Sequence, residues 1–129
     1  MSLYLLDTDV AIDYLHGIGS TVTLLEELVT LDHVLCTCAL VVAEVYAGLR
    51  SNDEERWTLF LSTLHFFGST QALAERAGRW RYEYARCGVQ ISTQDALIAA
   101  TAHTHGATIV TGNVRQFPMP ELSVLPLPR

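Results

Sequence analysis

The chain has 129 residues, half of them apolar, and a formal charge of −6. That length suits one compact domain over residues 1–129, and the apolar share supports a core without staples. The charge has the wrong sign for a protein that holds nucleic acid through phosphate contacts alone, and all eight basic residues are arginine, which excludes a P-loop and Schiff-base chemistry, both of which need lysine.

The first apolar run, Tyr4 to Leu6, ends at Asp7 and reads as a short buried strand, with Asp9 placed to cap a helix running to about His16. Ser20 opens a second helix after the "HGIGS" break, "HVLCT" supplies the second strand, and "ALVVAEVYAGLR" forms a third helix. "SNDEER" starts a fourth helix with acids in its first turn, as the helix dipole favours, running to about His65; "FFGST" holds a short strand. Thr70 opens a long helix to Cys87, stopped by Gly88, with Leu73, Ala77, Trp80, Tyr84 and Cys87 at core spacing. "ISTQDALIAATAHTHG" is the next helix, "ATIVT" a strand, "GNVRQFPMP" a loop, and "LSVLPL" an edge strand hemmed by prolines. The expected class is α/β: a mainly parallel central sheet of four to five short strands flanked by helices, with an additional helical hairpin. With no apolar run of about 18 residues and no basic-then-apolar start, neither a membrane helix nor a signal peptide is expected, and the expected compartment is the cytoplasm.

Acids carry the chemistry. Asp7 and Asp9 stand at the carboxyl end of a strand, where open α/β sheets bind ligands; Thr111 and Asn113 stand at another. Glu44 shares a helical face with Leu40, Val41, Ala47 and Gly48, expected to point inward, with no arginine at i±3 or i±4 to pair it. Asp95 projects with Ile98, Ala99 and Ala102. Each acid has a plainer reading: a helix cap at Asp7 and Asp9, an exposed helix side at Glu44, and a capping box in "STQD", where Ser92 caps and Asp95 reaches back. Taken together, three segments place acids at the border of apolar elements, and clustered carboxylates repel. A divalent cation resolves this: magnesium takes oxygen ligands and leaves room for phosphate, activates water and stabilises a phosphodiester transition state. Those four acids account for four of the six net negative charges.

The ordered set of stretches resembles a PIN-domain ribonuclease of the VapC toxin group. "YLLDTDVAIDYL" resembles the opening Leu-Asp-Thr-Asn-Val motif, "TCALVVAEVYAGL" the segment with the glutamate, and "ISTQDALIAATAHTHGATIVTGNVRQF" the third-acid helix, strand and final loop. The resemblance implies that Asp7, Glu44, Asp95 and Asn113 serve catalysis. It implies that Asp7, Asp95 and Glu44, with Asp9 as an accessory, hold Mg²⁺ or Mn²⁺, and that Thr8 and Thr111 assist. It also implies an RNA substrate, a VapB-type antitoxin whose C-terminal segment enters the groove, and a homodimer. Where the family often has a fourth acid, this chain has neutral Asn113 and Gln116. That departure leaves a second ion in question and supports an alternative, a PIN fold that binds RNA or protein without cutting. A second alternative, a haloacid-dehalogenase-type phosphatase using "DTDV", lacks its usual lysine and leaves Glu44 unexplained.

The remaining residues have ordinary readings. Arg50 and Arg115 are placed to reach the groove and meet an RNA phosphate or an antitoxin carboxylate. Arg76, Arg79 and Arg86 fit a solvated helix face, with Glu83 able to pair with Arg79. Trp57, Phe60, Leu61 and Leu64 fit core before any partner surface. Cys36, Cys38 and Cys87 are expected to be buried thiols outside any disulfide or zinc site, and His16, His33, His65, His103 and His105 have no zinc-site spacing.

Overall fold

The computed structural model describes residues 1–50 and 52–128. In chain order the elements are β1 (Leu3–Leu6), α1 (Thr8–Leu15), α2 (Gly19–Thr30), β2 (Val34–Cys38), α3 (Ala39–Ala47), α4 (Glu54–Ser62), β3 (His65–Phe67), α5 (Gln71–Arg86), α6 (Thr93–His105), β4 (Thr108–Thr111), a 3₁₀ turn (Val114–Gln116) and β5 (Val124–Pro126). The strands form one sheet in the order β3-β2-β1-β4-β5, parallel at every pairing.

The burial of the strands fits that order. β1 is the central strand, and Leu5 and Leu6 are fully buried, as both faces of a parallel sheet require. The chain runs outward from β1 to β2 and β3, then returns to place β4 and β5 on the other side. The strand order therefore reverses between β1 and β4, and the crevice for a ligand opens at their carboxyl ends. Asp7 ends β1 and Thr111 ends β4, so both lie at this switch point.

α6 packs against α5, α3 and β4. Its small side chains allow that close approach: Ala96, Ala99, Ala100 and Ala102 are all fully buried. Thr101 is buried too, its hydroxyl satisfied by the Leu97 carbonyl at 2.8 Å. Gly106 ends the helix in the left-handed conformation at φ 66°, which glycine adopts without a Cβ penalty. Asp32 closes α2 with φ 64°, a conformation short polar side chains tolerate. α5 and α6 form the packed helical pair expected beyond the basic sheet-and-crossover plan.

Several expectations need correction. Asp7, not Asp9, caps α1; its carboxylate accepts the Thr8 N–H, and Asp9 lies in the first turn. The cause is sheet pairing: the Asp7 N–H donates to the Val110 carbonyl at 2.9 Å, which keeps Asp7 extended. α4 stops at Ser62 rather than near His65, which belongs to β3. In α5, Cys87 is exposed, so the core stripe ends with half-buried Tyr84. Glu83 and Arg79 do not pair; the ion pair among the described residues joins Arg56 to Asp53. Arg76 instead lies over the Trp80 ring and Arg86 over Tyr82.

Trp57, Leu61 and Leu64 are core residues as read, while Phe60 is half-buried and stacks on Tyr14 at 4.4 Å between ring centres. The three cysteines are free, and burial raises the Cys36 thiol to about 11, so it is an inert core group. No described helix is long and apolar enough to cross a membrane.

Candidate active site

Two strand ends, after β1 and β4, the starts of α1 and α6 and one residue of α3 converge on one cleft of about 640 Å³, lined by Asp7, Thr8, Asp9, Ile12, Glu44, Ser92, Gln94, Asp95, Asn113 and Gln116. The four acids from three segments are thus brought together, with Asn113 beside them. Thr111 lies beneath, fully buried and bonded to Asp7. Arg50 and Arg115 do not line the cleft, nor does any other arginine among the described residues.

Each carboxylate is oriented by a named donor or cap. Asp7 Oδ1 accepts the Thr8 N–H at 2.9 Å and Oδ2 accepts the Thr111 hydroxyl at 2.8 Å. The same hydroxyl oxygen accepts the Asn113 N–H at 3.0 Å, so Thr111 ties the last loop to the first strand. Asp9 Oδ2 accepts the Gly112 N–H at 2.9 Å, a second tie to that loop. The Thr8 hydroxyl donates to Glu44 Oε1 at 2.9 Å. Ser92 caps α6 by accepting the Asp95 N–H at 3.0 Å, which sets Asp95 in the first turn.

Glu44 differs from expectation. It is exposed, because α3 buries Val41 and Val45 and leaves Glu44 at the border of that face. It reaches the site as a solvated side chain on the rim of the cleft, not as a buried charge.

The electrostatics follow from burial and crowding. Asp7, 6 % exposed, is raised from 3.8 to about 6, first by burial and then by the charges of Asp9 and Asp95. The Thr111 hydroxyl and the Thr8 N–H oppose that rise. Asp95 is also raised, by burial and by Glu44 and Asp9, against a hydrogen bond from Ser92. Both shifts reflect burial first and the crowding of neighbouring acids second.

The donor chemistry fits a hard divalent cation: carboxylate, hydroxyl and amide oxygens, with no cationic side chain among the lining residues. Among the described residues, no three His, Cys, Asp or Glu side chains form a group that could hold an ion as they stand. Magnesium does not require such a cage, since it is held by one or two carboxylates and keeps its waters. A magnesium-like ion therefore fits this cleft better than zinc, which needs three or four protein ligands.

Ile12 and Gln94 line the cleft and were not singled out by sequence. Ile12 lies one helical turn beyond Thr8, and Gln94 directly precedes Asp95; that adjacency was the available signal.

Comparison with known proteins places the fold in a family. Residues 4–120 match the family model described as PIN domain. A Mycobacterium tuberculosis protein named Ribonuclease VapC19 is 35 % identical over 115 residues, covering 89 % of this chain and 92 % of that one. Ribonuclease VapC10 from the same organism is 32 % identical over 119 residues, covering 91 % and 87 %. Among solved structures, VapBC2 from Rickettsia felis bound to a promoter DNA fragment superposes with a TM-score of 0.86 at 25 % identity, covering 98 % of this chain and 99 % of that one.

Proposed function

The chain belongs to the PIN-domain family, and from that premise we propose that it is the ribonuclease toxin of a toxin–antitoxin pair, cutting RNA phosphodiester bonds with a carboxylate-held Mg²⁺ or Mn²⁺ ion. The observation that carries this reading is the convergence of Asp7, Asp9, Glu44 and Asp95 in one cleft at the sheet's switch point, with no cationic side chain among the described residues lining it. Relatives named as ribonucleases support the reaction class, and structures of VapBC complexes support a VapB-type antitoxin as partner. Homodimerisation is part of the same proposal. The phosphatase alternative is set aside, since it uses the first two acids and leaves Glu44 and Asp95 without a role.

Asp7, Asp95 and Glu44, with Asp9, would hold the ion directly or through water; such an ion lowers the pKa of water and offsets charge on phosphoryl oxygens. The chain's own residues do the rest. Thr111 fixes Asp7 and draws Asn113 to the cleft edge, where its amide can contact the scissile strand. Thr8 turns the solvated Glu44 toward α1. The buried floor under Asp7 and Thr111 keeps these groups in fixed positions before substrate arrives.

Asp7→Asn tests the assignment. Cleavage of single-stranded RNA with Mn²⁺ is expected to fall at least 100-fold, with the melting temperature retained or raised; undiminished cleavage refutes it. Neutral Asn113 and Gln116 favour one second reading, a PIN fold that binds without cutting. Calorimetric Mn²⁺ binding by the wild-type protein with no cleavage of any RNA would select it.

A further inference from the structure

We propose that Gln94 and Gln116 read the base beside the scissile bond, making the cleft selective for particular unpaired nucleotides in single-stranded RNA; this rests on the ribonuclease reading above. The polar lining divides into two chemistries. The carboxylates suit a cation. Gln94, from the first turn of α6, and Gln116, from the 3₁₀ turn, suit something else.

Both glutamines line the cleft, Gln94 exposed and Gln116 half-buried, and neither side chain hydrogen-bonds any described residue, so their amides keep donors and acceptors for a ligand. A phosphate offers only acceptors, and would leave each amide oxygen facing negative charge. A base edge offers donors beside acceptors, which an amide matches with both its ends. In duplex RNA those edges are paired, and the deep groove is closed to side chains, so the match requires an unpaired nucleotide. The volume of about 640 Å³ lies within the range of small-ligand sites and accommodates such a nucleotide. Gln94 precedes Asp95, so a base held there sits one residue from an acid that would serve the reaction.

The test is cleavage of a random-sequence RNA pool by the full chain with Mn²⁺, sequencing the new ends, for the wild type and for Gln94→Ala and Gln116→Ala. Anisotropy of short oligonucleotides of each base with metal-free protein gives a readout independent of catalysis. The wild type is expected to favour particular bases beside the cut, and each variant to reduce that preference by about tenfold. Gln116→Met, which keeps the bulk, serves where alanine disturbs the turn. Failure of the wild type to cut overturns the ribonuclease reading and this inference with it. Cutting with a preference that both variants leave unchanged, or equal losses at every sequence, overturns this inference alone.

Discussion

The Thr111 hydroxyl donates to Asp7 Oδ2 at 2.8 Å across 104 positions of sequence, joining the carboxyl ends of β4 and β1 in a buried hydrogen bond. It is one of two bonds that hold the Asp7 carboxylate against the cost of burial, and it aims the second oxygen. Thr111→Val keeps the branched shape and removes the donor. The Asp7 carboxyl is then expected to titrate above about 6, readable by carbon NMR of the labelled side chain. Losing a hydrogen bond to a charged group costs about 2 kcal/mol, or roughly 5–10 °C of melting temperature. An unchanged Asp7 titration would show that the hydroxyl does not govern this group.

The same carboxyl sets the pH dependence of the metal-free protein. Its folded value near 6 lies above the ordinary 3.8, so the folded chain binds that proton more tightly than the unfolded chain does. The resulting stabilisation is complete below about 4 and is lost as pH rises through about 6, a loss of about 2–3 kcal/mol by neutral pH. Asp95 is shifted in the same sense. Asp7→Asn removes its share: melting temperatures of wild type and variant are expected to be closest near pH 4, with the variant pulling ahead by pH 7. Saturating Mn²⁺ is expected to reverse the wild-type deficit at pH 7. A variant less stable than wild type at pH 7 without metal would contradict the burial argument.

The parts legible in sequence were those set by apolar runs and their terminators. "YLL" and "TIV" end at Asp7 and Thr111, and the parallel sheet places those ends together. The end of α4 was not legible, because no glycine or proline marks it. Ser62 and Thr63 bond back to the Leu59 and Phe60 carbonyls, each at 2.6 Å, and compete with the helix from within. The choice between Asp7 and Asp9 as cap depended on a long-range partner, Val110, invisible to local spacing. The three acid-bearing segments were found, yet the setting of Glu44 was not: helical arithmetic gives a face but not what packs on it, and Val41 and Val45 took the buried side.

Asp9 has a structural use that separates from its charge. Its Oδ2 accepts the Gly112 N–H at 2.9 Å and so anchors the loop that carries Asn113. Asp9→Asn keeps an acceptor there, whereas Asp9→Ala leaves that N–H part-buried without one. Alanine is expected to cost about 1–2 kcal/mol in denaturant unfolding and asparagine less than half of that. Hydrogen exchange at Gly112 is expected to quicken only in the alanine variant. Equal loss in both variants would assign the effect to charge and not to the loop anchor.

Glu44 and Thr8 give the last test, because an exposed carboxylate contributes only when something orients it. The hydroxyl of Thr8 meets Glu44 Oε1 at 2.9 Å, one residue after the cap that ends β1. Without that bond the glutamate samples its other rotamers, and the ordering cost falls on ion binding, on the order of 0.5–1 kcal/mol. Thr8→Val is therefore expected to weaken calorimetric Mn²⁺ affinity by about two- to fivefold, and Thr8→Ser to restore it, since serine supplies the same donor. In the Glu44→Gln background the valine substitution is expected to have little further effect, as the charge it orients is already gone. Additive losses in the double variant would place Thr8's influence elsewhere, in the turn it begins rather than in the side chain it holds.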